Sequence, residues 1–238
     1  MIGIVLAAGK SERMSGAMNK CIKPLDGAGH TMLGRVISQL RSLDVAPVVV
    51  VGYQAKAVMK RYCAKATFVY NPDYESTGSL YSLWLALKII YDVSDVVLAS
   101  GSNIITAYTL RNMMRIEVPK GDNIAVMYPY PHGQAGARNI YHRVVTSVEN
   151  GALRHDIAET APRDECPEWC DESMAYSQFG IANRLYLLHH IPYVPGWRTA
   201  SVGKALAGFQ AMNVGVHDTL DVNTQADFRL AKEWFGYG

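Results

Sequence analysis

Four cysteines, at positions 21, 63, 166 and 170 of 238 residues, are too few and too unevenly spaced for a disulfide framework. Only Cys166 and Cys170 are close. Two ligands without a second pair make a poor zinc site, and loop thiols are the simpler reading. The seven histidines include no pair at helix-face metal spacing, and no serine sits in a nucleophile elbow, so no histidine is assigned to catalysis. An excess of one charge is also missing: a net +2 gives no bulk electrostatic case for nucleic acid or membrane binding. No apolar run reaches the length of a membrane span, and the run at residues 2–6 is too short for a signal peptide, so a cytoplasmic location is expected. Two common phosphate motifs are absent as well. Walker A needs four residues between its glycines, and Gly3 to Gly9 encloses five; no G-x-G-x-x-G run occurs.

What is present is an ordinary globular composition, 49% hydrophobic and 18% charged, in a chain long enough for one large α/β core; a single domain over residues 1–238 is expected. The chain is organised around residues 1–25. Residues 2–6 form a β-branched-rich apolar run, ending in the small turn Ala7-Ala8-Gly9. This reads as a buried strand feeding a loop whose main-chain N–H groups phosphate oxygens can approach. Lys10, Arg13 and Lys20 follow, and these cations can neutralise a triphosphate.

Beyond that loop, apolar periodicity predicts a helix over 31–43, with Leu33, Val36, Ile37 and Leu40 on one face. A strand is predicted from Val48 to Val51, since Pro47 interrupts its start, then a helix over 55–63 and a strand over 67–70. Strand–helix alternation of this kind implies βαβ units, a mostly parallel sheet, and a ligand at the strand C-termini. Further on, the pattern predicts a helix over 82–91, one strand over 96–105 running into a turn, a helix over 108–115, a strand over 123–128, a hairpin turning at Asn150-Gly151, a strand over 175–181 and helices over 185–191 and 202–209. Thr224 and Asp227 form a capping-box-like pair at the start of a last helix. Tyr128, Tyr130, Trp169, Tyr176 and Phe179 could cage a quaternary amine, though core packing is the commoner use of such residues.

The first 25 residues resemble the signature of the nucleotidyltransferases with a Rossmann-like fold, L-A-A-G-x-x-x-R-M, a loop, then K-x-x-x-P-L: here Leu6-Ala7-Ala8-Gly9, Arg13-Met14, Lys20 and Pro24-Leu25. Residues 71–87 resemble the same family's base-recognition segment, in form most like the cytidylyltransferases that load phosphocholine and related small phosphates. Ser79 and Ser82 are the base-contact candidates there, with helix capping as the bland role for Ser82. The third stretch, 217–234, resembles the closing segment of the family and maps a second Mg²⁺ ligand onto Asp221 or Asn223. The pattern breaks at 100–103, where related enzymes read D-x-D-N and this chain reads Ser100, Gly101, Ser102 and Asn103. Hydroxyls and an amide bind Mg²⁺ more weakly than carboxylates.

The resemblance implies a Rossmann-like α/β sheet flanked by helices, with a small β-hairpin insertion over the site. It implies transfer of CMP from CTP to a small phosphate or phosphonate, with Mg²⁺ as cofactor and pyrophosphate as product. Lys20 and Arg13 carry the catalytic roles, on the α-phosphate and the β/γ-phosphates; Leu6, Ala7, Ala8, Gly9, Lys10, Ser79, Ser82 and Ser102 line the nucleotide. Two alternatives stay open at this level: a nucleotide-binding module that does not turn over, motivated by the absent acids, and a transferase using GTP or UTP. The sequence allows a homo-oligomer without arguing for one.

Overall fold

The computed structural model describes residues 1–10, 18–91, 95–115, 124–129, 141–149, 152–160, 174–206, 210–213, 219–222 and 224–234. Arg13, Asn223, Tyr130, Trp169, Cys166 and Cys170 lie outside the described residues. Among the described residues no helix is long and apolar enough to cross a membrane.

Strands β1 (Ile2–Ala7), β2 (Ala46–Val51), β3 (Thr67–Tyr70) and β4 (Asp95–Ser100) run parallel in the order β3-β2-β1-β4. The chain steps outward from β1 to β3, then returns to the other side of β1, so strand order reverses between β1 and β4. That crevice, outside the strand C-termini, is where open α/β sheets hold ligands. The sheet continues through β9 (Met174–Asn183), antiparallel between β4 and β6 (Ile124–Pro129), and ends at β10 (Gln210–Asn213) beside β6. The expected hairpin is present: β7 (Tyr141–Glu149) pairs along its whole length with β8 (Ala152–Thr160), and Arg143 on β7 pairs with Ala175 on β9. The Asn-Gly turn signal located it.

Side-chain alternation splits the central strands between two cores. Ile4, Val48, Val50, Val96 and Leu98 face one side, where α3 (Ser79–Ile89) and α5 (Arg184–His190) contribute Leu80, Leu83 and Leu187. Val5, Val49, Val51, Val97 and Ala99 face the other, against Leu33, Val36, Ile37 and Leu40 of α1 (Met32–Ser42), Val58 of α2 (Ala55–Tyr62) and Leu110 of α4 (Ala107–Met113). Fully burying side chains of this size stabilises by roughly 1.5–3 kcal/mol each, which is why strands covered on both faces read as continuous apolar runs. Phe179 is fully buried in the second core, so packing is its role.

Four expectations are corrected. β2 starts at Ala46 and includes Pro47: Ala46 N donates to Met1 O on the β1 side, so Pro47 turns its nitrogen toward β3, whose pairing begins only at Val48. No ladder bond is lost there. The helix expected at Ser82 begins at Ser79, after Gly78. The single strand expected over 96–105 is two: the chain bends at Gly101-Ser102, and β5 (Asn103–Ile105) leaves the large sheet to pair with β11 (Thr219–Asp221). Residues 202–205 form one 3-10 turn in place of a helix, and the chain soon after becomes β10, which apolar periodicity did not single out.

A third cluster joins the ends of the chain. Leu25, Met32 and Ile104 pack with Leu220 of β11, Val222 just after it, and Phe228 and Ala231 of α6 (Gln225–Trp234). The start of α6 carries the expected capping box: Thr224 N donates to Asp227 Oδ2 at 2.7 Å, and Asp227 N to Thr224 Oγ1 at 3.2 Å. Thr224→Ala should therefore lower stability by about 1 kcal/mol, and Asp227→Ala by a similar amount, in urea denaturation. The double variant should cost less than the sum, because the two residues act as one cap.

Candidate functional site

β1 ends where a ligand of a parallel sheet would lie. The carbonyl of Leu6 accepts from Gly101 N and that of Ala8 from Tyr53 N, each at 2.9 Å, so the loops after β4 and β2 clamp the loop after β1. Ala7 and Ala8 are buried, while Gly9 and Lys10 are exposed. A Cβ on Gly9 would meet nothing within 4 Å. Neither packing nor a left-handed backbone demands glycine there; the demand would have to come from a ligand pressed against the loop.

Lys20 opens a 3-10 turn, Lys20–Ile22, whose cap is the fully buried Asn19. Asn19 is a three-way clamp. Its Nδ2 donates to Tyr53 O at 2.9 Å, its N to Gln54 Oε1 at 2.8 Å, and its Oδ1 accepts from Cys21 N at 2.9 Å. Gln54 holds its end of the clamp from a left-handed backbone, φ 54°, a conformation that non-glycine residues adopt only when surroundings enforce it. With the turn fixed, Lys20 Nζ reaches Val222 O at 2.8 Å. Lys23, on the same segment, meets Gln225 Oε1 at 3.0 Å and sits over the Phe228 ring at 4.7 Å. Cys21 lies beside Lys20, but burial pushes its thiol up to about 11 against the opposing pull of the lysine, so it stays protonated and is no nucleophile.

The acid-free stretch forms a buried polar cluster. Ser100 Oγ and Ser102 Oγ lie 3.2 Å apart, and each is 3.4 Å from Asn103 Oδ1. Ser102 is buried within it. Directly opposite, in the β5–β11 register, Asp221 pairs with Asn103. The structure thus brings the altered stretch and the C-terminal acid to adjacent strand positions, with the Lys20 ammonium one residue further on, at Val222.

The residues expected at the base hold the scaffold of that region. Asn71 Nδ2 donates to Ser82 Oγ at 3.0 Å and to Thr77 Oγ1 at 3.1 Å, and Asp73 N returns a bond to Asn71 Oδ1. Ser82 is buried and lies beyond the helix start, so the capping role considered for it falls to Gly78. Ser79 Oγ accepts from Val202 N at 3.0 Å, while Gly78 N donates to Arg198 O at 2.7 Å. The 198–202 segment is therefore laid directly on the start of α3, and a Cβ on Gly78 would stand 2.2 Å from Ala200 O.

Between the ends of β1 and β4 lies a cavity of about 20 Å³, lined by Leu6, Ser79, Ser100, Gln178, Ser201 and Gly203 among others. Two polar side chains among these, Ser201 and Gln178, were not found by sequence reasoning. Ser201 Oγ is buried without a hydrogen-bond partner among the described residues, the condition of a hydroxyl waiting for a ligand. Gln178 has φ 64° on β9, where the pairing with β6 shifts register, and such an irregularity re-aims a side chain. Neither leaves a periodicity signal. Asn19, by contrast, stands next to Lys20 and could have been read as a cap.

A family model described as MobA-like NTP transferase domain matches residues 3–156. The bifunctional protein GlmU of Trichlorobacter lovleyi is 30% identical over 168 residues, 69% of this chain and 34% of that protein; GlmU of Shouchella clausii is 28% identical over 143 residues, 60% of this chain and 30% of that one. The chain spans about a third of the length of the curated relatives it matches. Among solved structures, the CTP:phosphocholine cytidylyltransferase of Streptococcus pneumoniae aligns with TM-score 0.68 and 13% identity, covering 98% of both chains. The inositol-1-phosphate CTP transferase of T. maritima gives 0.68 and 14%, covering 99% of this chain and 94% of that one. A putative glucose-1-phosphate thymidylyltransferase of Bacillus anthracis gives 0.73 and 14%, covering 98% and 94%. At these identities the structures speak for the fold, a mostly parallel, Rossmann-like nucleotidyltransferase sheet.

The two glycines separate ligand demand from packing demand. Gly78→Ala should destabilise by about 2–3 kcal/mol in urea denaturation, because the methyl meets backbone that cannot move aside. Gly9→Ala should leave stability unchanged or raise it by up to about 1 kcal/mol, while weakening nucleoside triphosphate binding in calorimetry.

Proposed function

The chain belongs to the family of MobA-like NTP transferase domains, and from that premise we propose that it transfers a nucleotidyl group, CMP from CTP, to a small phosphate- or phosphonate-bearing acceptor. An acceptor oxygen attacks the α-phosphorus in line, the bond to the bridging oxygen breaks, and pyrophosphate leaves with that electron pair. The observation that carries this reading is Lys20 Nζ at 2.8 Å from Val222 O, the residue after Asp221, which pairs with Asn103 just beyond the end of β4. A lysine so positioned would shift from the carbonyl to the α-phosphate and stabilise the charge that develops there. Arg13 would hold the β- and γ-phosphates beside the amides of the Ala7–Lys10 loop. Catalysis of this kind is positioning and electrostatics, which suits a site without a perturbed nucleophile.

The nearby donor set is oxygen-only: hydroxyls of Ser100 and Ser102 and the Asn103 amide oxygen, with Asp221 at the facing strand position. It fits a hard divalent ion that draws most of its ligands from triphosphate and water, with Asp221 or Asn223 as the protein's contribution. When bound, Mg²⁺ supplies neutralisation of the triphosphate. CTP is favoured because two of the structural neighbours are named for CTP chemistry, while the thymidylyltransferase neighbour keeps the base open to experiment. All three of these names include a small phosphorylated compound. Ser201 and Gln178, on the α3 side of the crevice, are the polar groups offered to the acceptor.

A non-catalytic nucleotide-binding module is the second reading. The buried hydroxyls of Ser100 and Ser102, bonded to each other where metal-binding acids would serve, favour it.

Pyrophosphate release from each of the four NTPs, with Mg²⁺ or Mn²⁺ and a panel of small phosphates and phosphonates, decides between the two. Release with CTP and one acceptor is expected; tight nucleotide binding without release from any pair selects the module. In the active pair, Lys20→Ala should abolish turnover while nucleotide affinity stays within about tenfold, the loss being confined to the transition state. Asp221→Ala should raise the Mg²⁺ concentration needed for half-maximal rate, and an unchanged titration removes Asp221 from the metal site.

A further inference from the structure

A second concavity among the described residues does not belong to this crevice. It is a groove of about 940 Å³ on the opposite face of the sheet, lined by residues of α1, α2 and the segments flanking them and by Ala107, the first residue of α4. It shares no lining residue with the small cavity at β1 and β4. Its volume is that of a pocket for a small organic ligand.

The lining is strongly cationic. Arg35 and Arg41 come from α1, Arg61 from α2 and Lys65 from the loop after it, and no carboxylate is among the lining residues. Arg41 donates to Ala64 O at 3.4 Å and Lys65 O at 3.2 Å, and Arg61 donates to Gly29 O. These bonds orient the guanidinium groups without cancelling their charge, since a carbonyl offers only a dipole. Among the described residues Arg41, Arg61 and Lys65 have no ion-pair partner. His30 also lines the groove, but Asp26 faces it in an ion pair, so it adds no net charge.

A second observation concerns Gln39, a polar residue of the lining. Gln39 is 8% exposed. Its Nε2 donates to Ile105 O at 3.0 Å, which fixes the amide, and Oε1 is left buried without a hydrogen-bond partner among the described residues. A buried acceptor left unmade is costly. It calls for a donor, such as a hydroxyl or an ammonium group of a ligand.

We infer that the α1–α2 groove binds a small phosphate-bearing metabolite that also carries a hydroxyl or amine donor, its phosphate held by Arg41, Arg61 and Lys65 and its donor meeting Gln39 Oε1. This site is separate from the nucleotide crevice and does not depend on the transferase reading. The donor requirement distinguishes it from a non-specific basic surface, which would hold any anion equally.

The test is an amide NMR titration of the full chain with three probes: glycerol 3-phosphate, inorganic phosphate and glycerol. Glycerol 3-phosphate should move the resonances of Thr31, Gly34, Gln39 and Lys65 saturably, inorganic phosphate more weakly, and glycerol not at all. Arg61→Ala with Lys65→Ala, both exposed and outside the nucleotide crevice, should weaken glycerol 3-phosphate at least about tenfold, as loss of charge-assisted bonds does. Pyrophosphate release without added effector should be unchanged in that variant. Gln39→Leu should reduce glycerol 3-phosphate to the affinity of inorganic phosphate, leaving the latter as it was. The inference fails if shifts occur only around Leu6–Lys10 and Ser100–Asn103, if the double variant binds as the parent does, or if glycerol 3-phosphate and inorganic phosphate bind alike in the parent.

Discussion

The bond from Lys20 to the carbonyl of Val222 spans 202 positions of sequence and is the constraint on which the site depends. A single hydrogen bond cannot offset closing so long a loop. What makes it affordable is the apolar cluster beneath it, in which Leu25, Met32 and Ile104 bury Leu220, Val222 and Phe228. Apolar burial draws the C-terminal segment onto the N-terminal loop, and the polar groups then meet with their geometry already set. The cation and Asp221 reach the same place because β11 is seated by that cluster and registered against β5.

The same logic explains why so many polar side chains near the crevice bond to backbone. Asn19 ties the Lys20 turn to the loop after β2, Asn71 ties the loop after β3 to α3, and Ser79 ties α3 to the turn at Val202. Each clamp fixes a loop or turn against a neighbouring segment, where regular structure has ended and main-chain groups need partners. Loops held this way can present a triphosphate with fixed dipoles at little reorganisation cost, which is what phosphoryl chemistry asks of a protein. On the opposite face of the sheet Thr31 and Tyr62 are hydrogen-bonded to each other across the cationic groove, while the guanidinium groups of Arg41 and Arg61 are steadied by carbonyls.

Strands β1, β2 and β4 of the large sheet were legible because each is a short apolar run buried on both faces, and the hairpin because Asn-Gly is a turn signal in the sequence. The family signature located Lys20 and the Gly9 loop by residue type alone. The split of residues 96–105 was not legible, since the apolar content of the run is the same whether it stays in one sheet or divides between two. Ser201 and Gln178 were missed for a related reason: their relevance lies in an unmet hydrogen bond and a left-handed φ, neither of which has a compositional trace.

By itself, then, the sequence determined the α/β class, the parallel strand–helix alternation, the resemblance of the loop after β1 to the nucleotidyltransferase signature and the absence of acids at 100 and 102, because these rest on periodicity, turn chemistry and residue identity within a short window. Only the tertiary structure decided that Asp221 faces Asn103, that Asn19 and Gln54 fix the lysine turn, and that four cations and a buried amide oxygen share one groove between α1 and α2. Those are contacts between distant segments, and their register is set by how the three apolar clusters pack, a property of the folded chain that no local pattern encodes.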